Sequence, residues 1–188
     1  MALLAFGVLL FVMLHGVAAV PPLKEKIKTL VGARLYGPAF GVSSIIALAI
    51  IVLGWRNAEF VPLYDPPDWG WYANYILTFI GFLCLGVFLF RGNLRQRLRF
   101  PMGLAVIFWA TGHLCANGDL ASIMLFGGLL AGNIAHIVVA NGNGVRPSPE
   151  IRMGHDGLSL IFGAALYGIM TQLHYALIGV PVFFILSQ

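Results

Sequence analysis

Six long stretches without a charged side chain alternate with short charged or proline-rich segments along the chain. They run from Met1 to Leu23, Leu35 to Trp55, Trp69 to Phe90, Phe100 to Gly118, Leu120 to Val145 and Gly157 to Gln188. A helix rises about 1.5 Å per residue and needs roughly 20 apolar residues to cross a bilayer's hydrocarbon core. The pattern therefore predicts an all-α, polytopic membrane bundle of about six transmembrane helices. They are placed near Ala2–Val20, Pro38–Trp55, Trp71–Phe90, Pro101–Ala116, Leu120–Ala140 and Gly157–His174. The tail with Gly179 and Pro181 reads as a short interfacial coda or as a prolongation of the sixth helix. Pro62 to Pro67 and Asn141 to Gly144 are breakers between helices. No internal repeat divides the chain, so residues 1–188 read as one membrane domain.

Composition agrees with the pattern. Of 188 residues, 60% are hydrophobic and 10% charged, and the mean hydropathy is +0.90. Soluble domains carry about 25% charged residues, so a water-facing surface cannot be built from this chain. Disordered, disulfide-scaffold and nucleic-acid-binding classes are excluded by the same figures. Cys84 and Cys115 both lie in apolar runs and read as small packed side chains. No Lys or Arg precedes Lys24, whereas a signal peptide opens with a basic region, so the first run reads as a retained helix.

The charges then supply an orientation. Lys24, Lys26, Lys28 and Arg34 follow the first span, Arg91, Arg95, Arg97 and Arg99 the third, and Arg146 and Arg152 the fifth. Ten of the eleven basic residues thus fall in alternate loops. By the positive-inside rule, both termini are expected on the outer, periplasmic side of a bacterial inner membrane. The loop after the second span carries Glu59, Asp65 and Asp68. It is rimmed by Trp55, Tyr64, Trp69, Trp71 and Tyr72, an aromatic belt in which Trp69 and Trp71 have the alternative use of covering a ligand.

Polar side chains inside a membrane are costly, so each is a candidate for function. They are His15, His113, His136 and His174, with Asn117, Asp119, Asn133 and Gln172. A neutral histidine in a bundle needs only a carbonyl for its ring N–H. The sharper reading is ligation of a b-type haem, which requires one or two imidazoles and an apolar slot. Catalytic zinc fits less well, because no HExxH pair or His–carboxylate cluster is present. Depth groups His15 with His136 on the inner side and His113 with His174 toward the outer side. The spacing does not choose a ligand pair.

The richest stretch runs from Phe108 to Leu120, followed by Leu125-Phe126-Gly127. Trp109 and His113 are four apart and share a helix face, with Asn117 one turn on. Asn117-Gly118-Asp119 reads as permitting a tight reversal, because Gly118 can adopt positive φ and the flanking side chains can satisfy exposed backbone groups. Asp119 is placed to cap the next helix. Asn117 is placed to cap the helix before or to steady the His113 ring.

At these residues the chain resembles the NnrU family, bacterial membrane proteins related to zeta-carotene isomerase. The resemblance is carried by Arg99-Phe100-Pro101, Trp109-Ala110-Thr111-Gly112-His113-Leu114, Asn117-Gly118-Asp119-Leu120 and Leu125-Phe126-Gly127. His15 near the end of the first helix matches, and so does Leu173-His174 with Gly179-Val180-Pro181. Phe100 stands where the family carries histidine. The resemblance implies haem b between His15 and His113, with Trp109 and Asn117 beside it. It further implies a role in nitrogen-oxide, denitrification-linked metabolism or a redox-gated, isomerase-like reaction on an apolar substrate. The competing reading is a non-catalytic structural or assembly subunit of a larger membrane complex. In that case Gly127, Gly128 and Gly132 would line the contact.

Overall fold

A computed structural model describes residues 1–180 and 182; Pro181 of the predicted tail lies outside them. The described residues form eight helices, here numbered α1 to α8: Ala2–Ala19, Pro21–Val31, Ala33–Arg56, Gly70–Leu89, Asn93–Leu98, Pro101–Ala116, Leu120–Gly142 and His155–Ile178. Five of them, α1, α3, α4, α7 and α8, are long and apolar enough to cross a membrane. The sixth predicted span, α6, is apolar but has only 16 residues. At 1.5 Å per residue it covers about 24 Å, short of the ~30 Å hydrocarbon core.

Two segments expected as loops are helical. Pro21 and Pro22 favour the first turn of a helix, where a missing N–H costs nothing, and Val20 before them is extended (φ −118°, ψ 91°). The result is α2, which buries none of its residues and leaves Leu23, Leu30 and Val31 exposed beside its lysines. Such a helix suits the plane of the membrane surface. The short α5 is capped across the chain, the Leu94 N–H donating to Asp156 Oδ1 at 2.9 Å. Pro38, placed by the pattern at the start of the second span, lies inside α3, which begins at Ala33 after Gly32 at φ 94°. The last helix starts at His155 and stops at Ile178, where Gly179 takes the left-handed conformation (φ 87°) and its N–H closes on Tyr175 O at 2.8 Å.

The six long helices pack in the spatial order α3, α1, α7, α6, α4, α8. Close approach depends on small residues: a Cβ on Gly54 would stand 2.6 Å from the Leu4 backbone, and one on Gly7 2.9 Å from Ile51 N. The buried core joins Leu4, Val8, Ile51, Ala110, Leu125, Phe126 and Leu129 from α1, α3, α6 and α7. Most large apolar side chains elsewhere face outward, as lipid contact requires.

The segment between α3 and α4 straps the α6–α7 turn. Leu63 and Tyr64 donate their N–H groups to Gly118 O at 2.8 and 3.0 Å, and Leu120 N–H donates to Val61 O at 2.8 Å. The Tyr64 hydroxyl reaches the carbonyls of Leu114 and, at 2.8 Å, Asn117. The tight reversal forms between Ala116 and Leu120, but Gly118 does not use the positive φ open to it. Glycine is needed there because the Tyr64 carbonyl occupies the place of a Cβ.

Candidate functional site

Helix α7 contains a π-helical turn over Ile123–Gly127. Single π-turns widen a helix and re-aim its side chains, frequently at functional sites. Here the turn directs Phe126 against the end of α6. Its ring stacks on the His113 imidazole at 4.4 Å and 26°, and meets Trp109 edge-on at 5.0 Å and Trp55 at 5.9 Å. Asp119 starts α7, accepting from Ser122 N–H at 3.0 Å and from Ser122 Oγ at 2.5 Å, and is itself buried. It is a cap, as its position in the turn predicts.

The four intramembrane histidines share one arrangement. Nδ1 of His113 lies 2.8 Å from Trp109 O, and Nδ1 of His15 lies 2.9 Å from Phe11 O, each four residues back. Nδ1 of His136 lies 3.1 Å from His15 O, and Nδ1 of His174 lies 2.6 Å from Val180 O. A carbonyl can only accept, so each Nδ1 carries a proton, and in a neutral ring that leaves Nε2 with the lone pair. This is the tautomer in which an imidazole ligates a metal, its ring fixed by the backbone.

The histidines line two cavities. The larger, about 440 Å³, is walled by α3, α4, α6, α7 and α8 and contains His113 and His174. Trp55, Trp71, Trp109 and Asn117 also line it, so two of the expected belt residues face a cavity, whereas Trp69 and Tyr72 are exposed. Its volume lies within the ~300–1,000 Å³ of ordinary ligand sites. Asn117 donates from Nδ2 to His113 O at 2.8 Å. It thereby caps α6 and leaves the ring itself to Trp109. The smaller cavity, about 240 Å³, contains His15 and His136 beside Phe100, Arg95, Arg99 and Arg146. Met102 and Val106 of α6 line both.

The structure thus brings His113, Trp109 and Asn117 together and adds His174, while His15 stands on the other cavity with His136. Among the described residues, no three His, Cys, Asp or Glu side chains gather as a protein-ligated metal ion would need. The cysteines are free, Cys84 buried and Cys115 half-buried. Two contributions went unassigned in the sequence. Phe126 depends on a π-turn that leaves no mark in residue spacing, and the pairing of His174 with His113 was foreshadowed only by their common depth.

Gly128 and Gly132 face α1, where an added Cβ would meet Val8 at 2.7 Å and Val12 at 2.6 Å. These two glycines therefore serve a contact within the chain.

Fold and site together define a multi-pass helical membrane protein with histidines lining its interior cavities. The chain belongs to the NnrU family: the family model described as NnrU protein matches residues 3–182. No curated protein and no solved structure matches it.

Proposed function

We propose that this protein is a haem-b-binding protein of the bacterial inner membrane, in which the larger cavity would take the macrocycle and His113 would hold the iron. The observation that carries this reading is the His113 imidazole, fixed by the Trp109 carbonyl and Phe126, with its Nε2 free. His174 lines the same cavity in the same tautomer and is the second candidate ligand. The donor set fits the group: neutral imidazoles, aromatic walls, and polar lining at Trp71, Asn74, Asn117 and Thr171 for two haem carboxylates. His113 lies three residues before the end of α6, so those carboxylates would be near the membrane boundary. The alternating loop charges support an orientation with both termini periplasmic, which requires that α6, although short, cross as a sixth span.

Bound haem would supply an iron site for one-electron or diatomic-ligand chemistry. The chain's own residues would hold and orient it: the Trp109 carbonyl fixes the His113 ring, Asn117 closes the helix end, and Phe126 and Trp55 would exclude water. A macrocycle would fill most of such a cavity, which favours a small uncharged nitrogen oxide as reactant over a long conjugated substrate. Nitrogen-oxide metabolism is therefore the preferred role, ahead of isomerase-like chemistry. The reading of a cofactor-free assembly subunit has less support, since Gly128 and Gly132 face α1.

The test is the reduced-minus-oxidised spectrum of detergent-purified protein expressed with ample haem. A b-type spectrum is expected, lost in His113→Ala and converted to a five-coordinate form in His174→Ala. Colourless protein from haem-replete cells overturns the proposal. Loss of haem in His15→Ala with retention in His174→Ala would move the second ligand to the residue the family resemblance implies.

A further inference from the structure

The smaller cavity carries a different chemistry. Its mouth is formed by Arg95 on α5, Arg99 between α5 and α6, and Arg146 after α7. Arg95 lies over the Phe88 ring at 5.4 Å and Arg99 over the Phe100 ring at 4.9 Å. Among the described residues no carboxylate pairs with any of the three; the ion pairs there are Lys28 with Glu25 and Arg91 with Glu150. The rest of the lining is apolar, with Phe11, Val12, Met102 and Val106, apart from the imidazoles of His15 and His136 and the Asn133 amide.

The backbone holds this mouth at some cost. Phe100 N–H donates to Leu98 O at 2.6 Å, a γ-turn with Arg99 at φ 57° and ψ −48°, a strained conformation for a residue other than glycine. The turn aims the Arg99 side chain at Val145 O, with Nε at 3.1 Å and Nη2 at 2.9 Å, and at Asn141. Arg99 thereby ties the α5–α6 corner to the segment carrying Arg146.

We infer that this cavity is a binding site for one anionic phospholipid, its phosphate among Arg95, Arg99 and Arg146 and the start of an acyl chain against the apolar wall. Guanidinium groups pair with phosphate oxygens in a fixed fork, and basic pockets between membrane helices take acidic lipid headgroups. The apolar wall distinguishes a lipid from free phosphate, which would leave that wall uncovered. The inference concerns a cavity other than the proposed haem chamber and does not depend on haem.

Native mass spectrometry and thermal melting of the intact protein in detergent test it, with four probes: dioctanoyl phosphatidylglycerol, dioctanoyl phosphatidylcholine, oleate and inorganic phosphate. One phosphatidylglycerol per chain is expected to bind and stabilise, with phosphatidylcholine at least about tenfold weaker. The double variant Arg95→Gln, Arg146→Gln should lose at least about tenfold in affinity for phosphatidylglycerol. Lys24→Gln with Lys26→Gln on α2 should leave it unchanged. Arg99 is left intact because it holds Val145. Equal binding of the two phospholipids overturns the inference, and that comparison needs no variant. Equal weakening by the lysine pair, or stabilisation by phosphate or oleate matching phosphatidylglycerol at the same concentration, also overturns it.

Discussion

The imidazole of His113 lies face to face with the ring of Phe126, the centroids 4.4 Å apart and the planes inclined by 26°. One residue lies in the last turn of a regular helix and the other on a π-turn, so the contact forms where α7 is widened. Phe126→Ala removes ring contacts with His113, Trp109 and Trp55 together and leaves a void in the core. A loss of about 3 kcal/mol is expected, most of it from lost packing. Thermal melting in detergent measures it, with Phe126→Leu recovering more than half. If Phe126→Ala melted like the parent protein, the π-turn would have no part in holding the chamber.

Asp119 is the next sensitive point, since both of its carboxylate oxygens accept from Ser122. Asp119→Ala is expected to cost about 1–2 kcal/mol, the usual range for a lost helix cap. Asp119→Asn keeps one acceptor and should fall between. Equal stability of all three proteins in urea titration would show that the strap, and not the cap, starts α7.

Gly132→Leu drives a side chain into Val12, and the expected outcome is separation of α1 from α7 with loss of the folded, monodisperse protein on gel filtration. A folded Gly132→Leu protein that no longer associates with another membrane protein would instead point to an external contact at this stripe.

Tyr64 lies in the strap between α3 and α4. Burial pushes its phenol above the usual value near 10, with further raising from the acid groups of Cys115 and Asp119. A folded pKa above the unfolded one means the strap's contribution is full below about pH 10 and is lost as pH rises through the higher folded value. Ultraviolet titration should show a late-ionising tyrosine component that is reduced by one residue in Tyr64→Phe. Proteolysis within residues 57–69 should increase over the same interval. Cleavage that is already rapid at neutral pH would contradict a held strap.

Much of this architecture was legible in the sequence, and the division follows physical range. Helix lengths and the Asp119 cap depend on neighbours within one or two turns, and those appear as charge-free runs and as Asp119 with Ser122 three residues on. The carbonyl partners of His15 and His113 lie four residues back and obey the same periodicity. The bond from His136 to the His15 carbonyl crosses 121 residues, and the pairing of His174 with His113 in one cavity likewise depends on how whole helices pack. Inside a bilayer both faces of a helix are apolar, so hydrophobic spacing does not mark the inward face. The strap shows the same limit from the other side. Tyr64 has the composition of an interfacial aromatic, yet its hydroxyl serves two carbonyls at the end of α6.

The packing order has a mechanical consequence. The two outermost helices of the row, α3 and α8, both border the larger cavity, so the row is bent into a clamp whose jaws are its own ends. Small rotations at successive interfaces would add along such a row, so the gap between Leu48 on one jaw and Met170 on the other would change by more than any single interface slides. Aperture is then a lever-amplified property. A bulkier residue at Gly54, where α3 grips α1, would register first in how readily the jaws admit a guest.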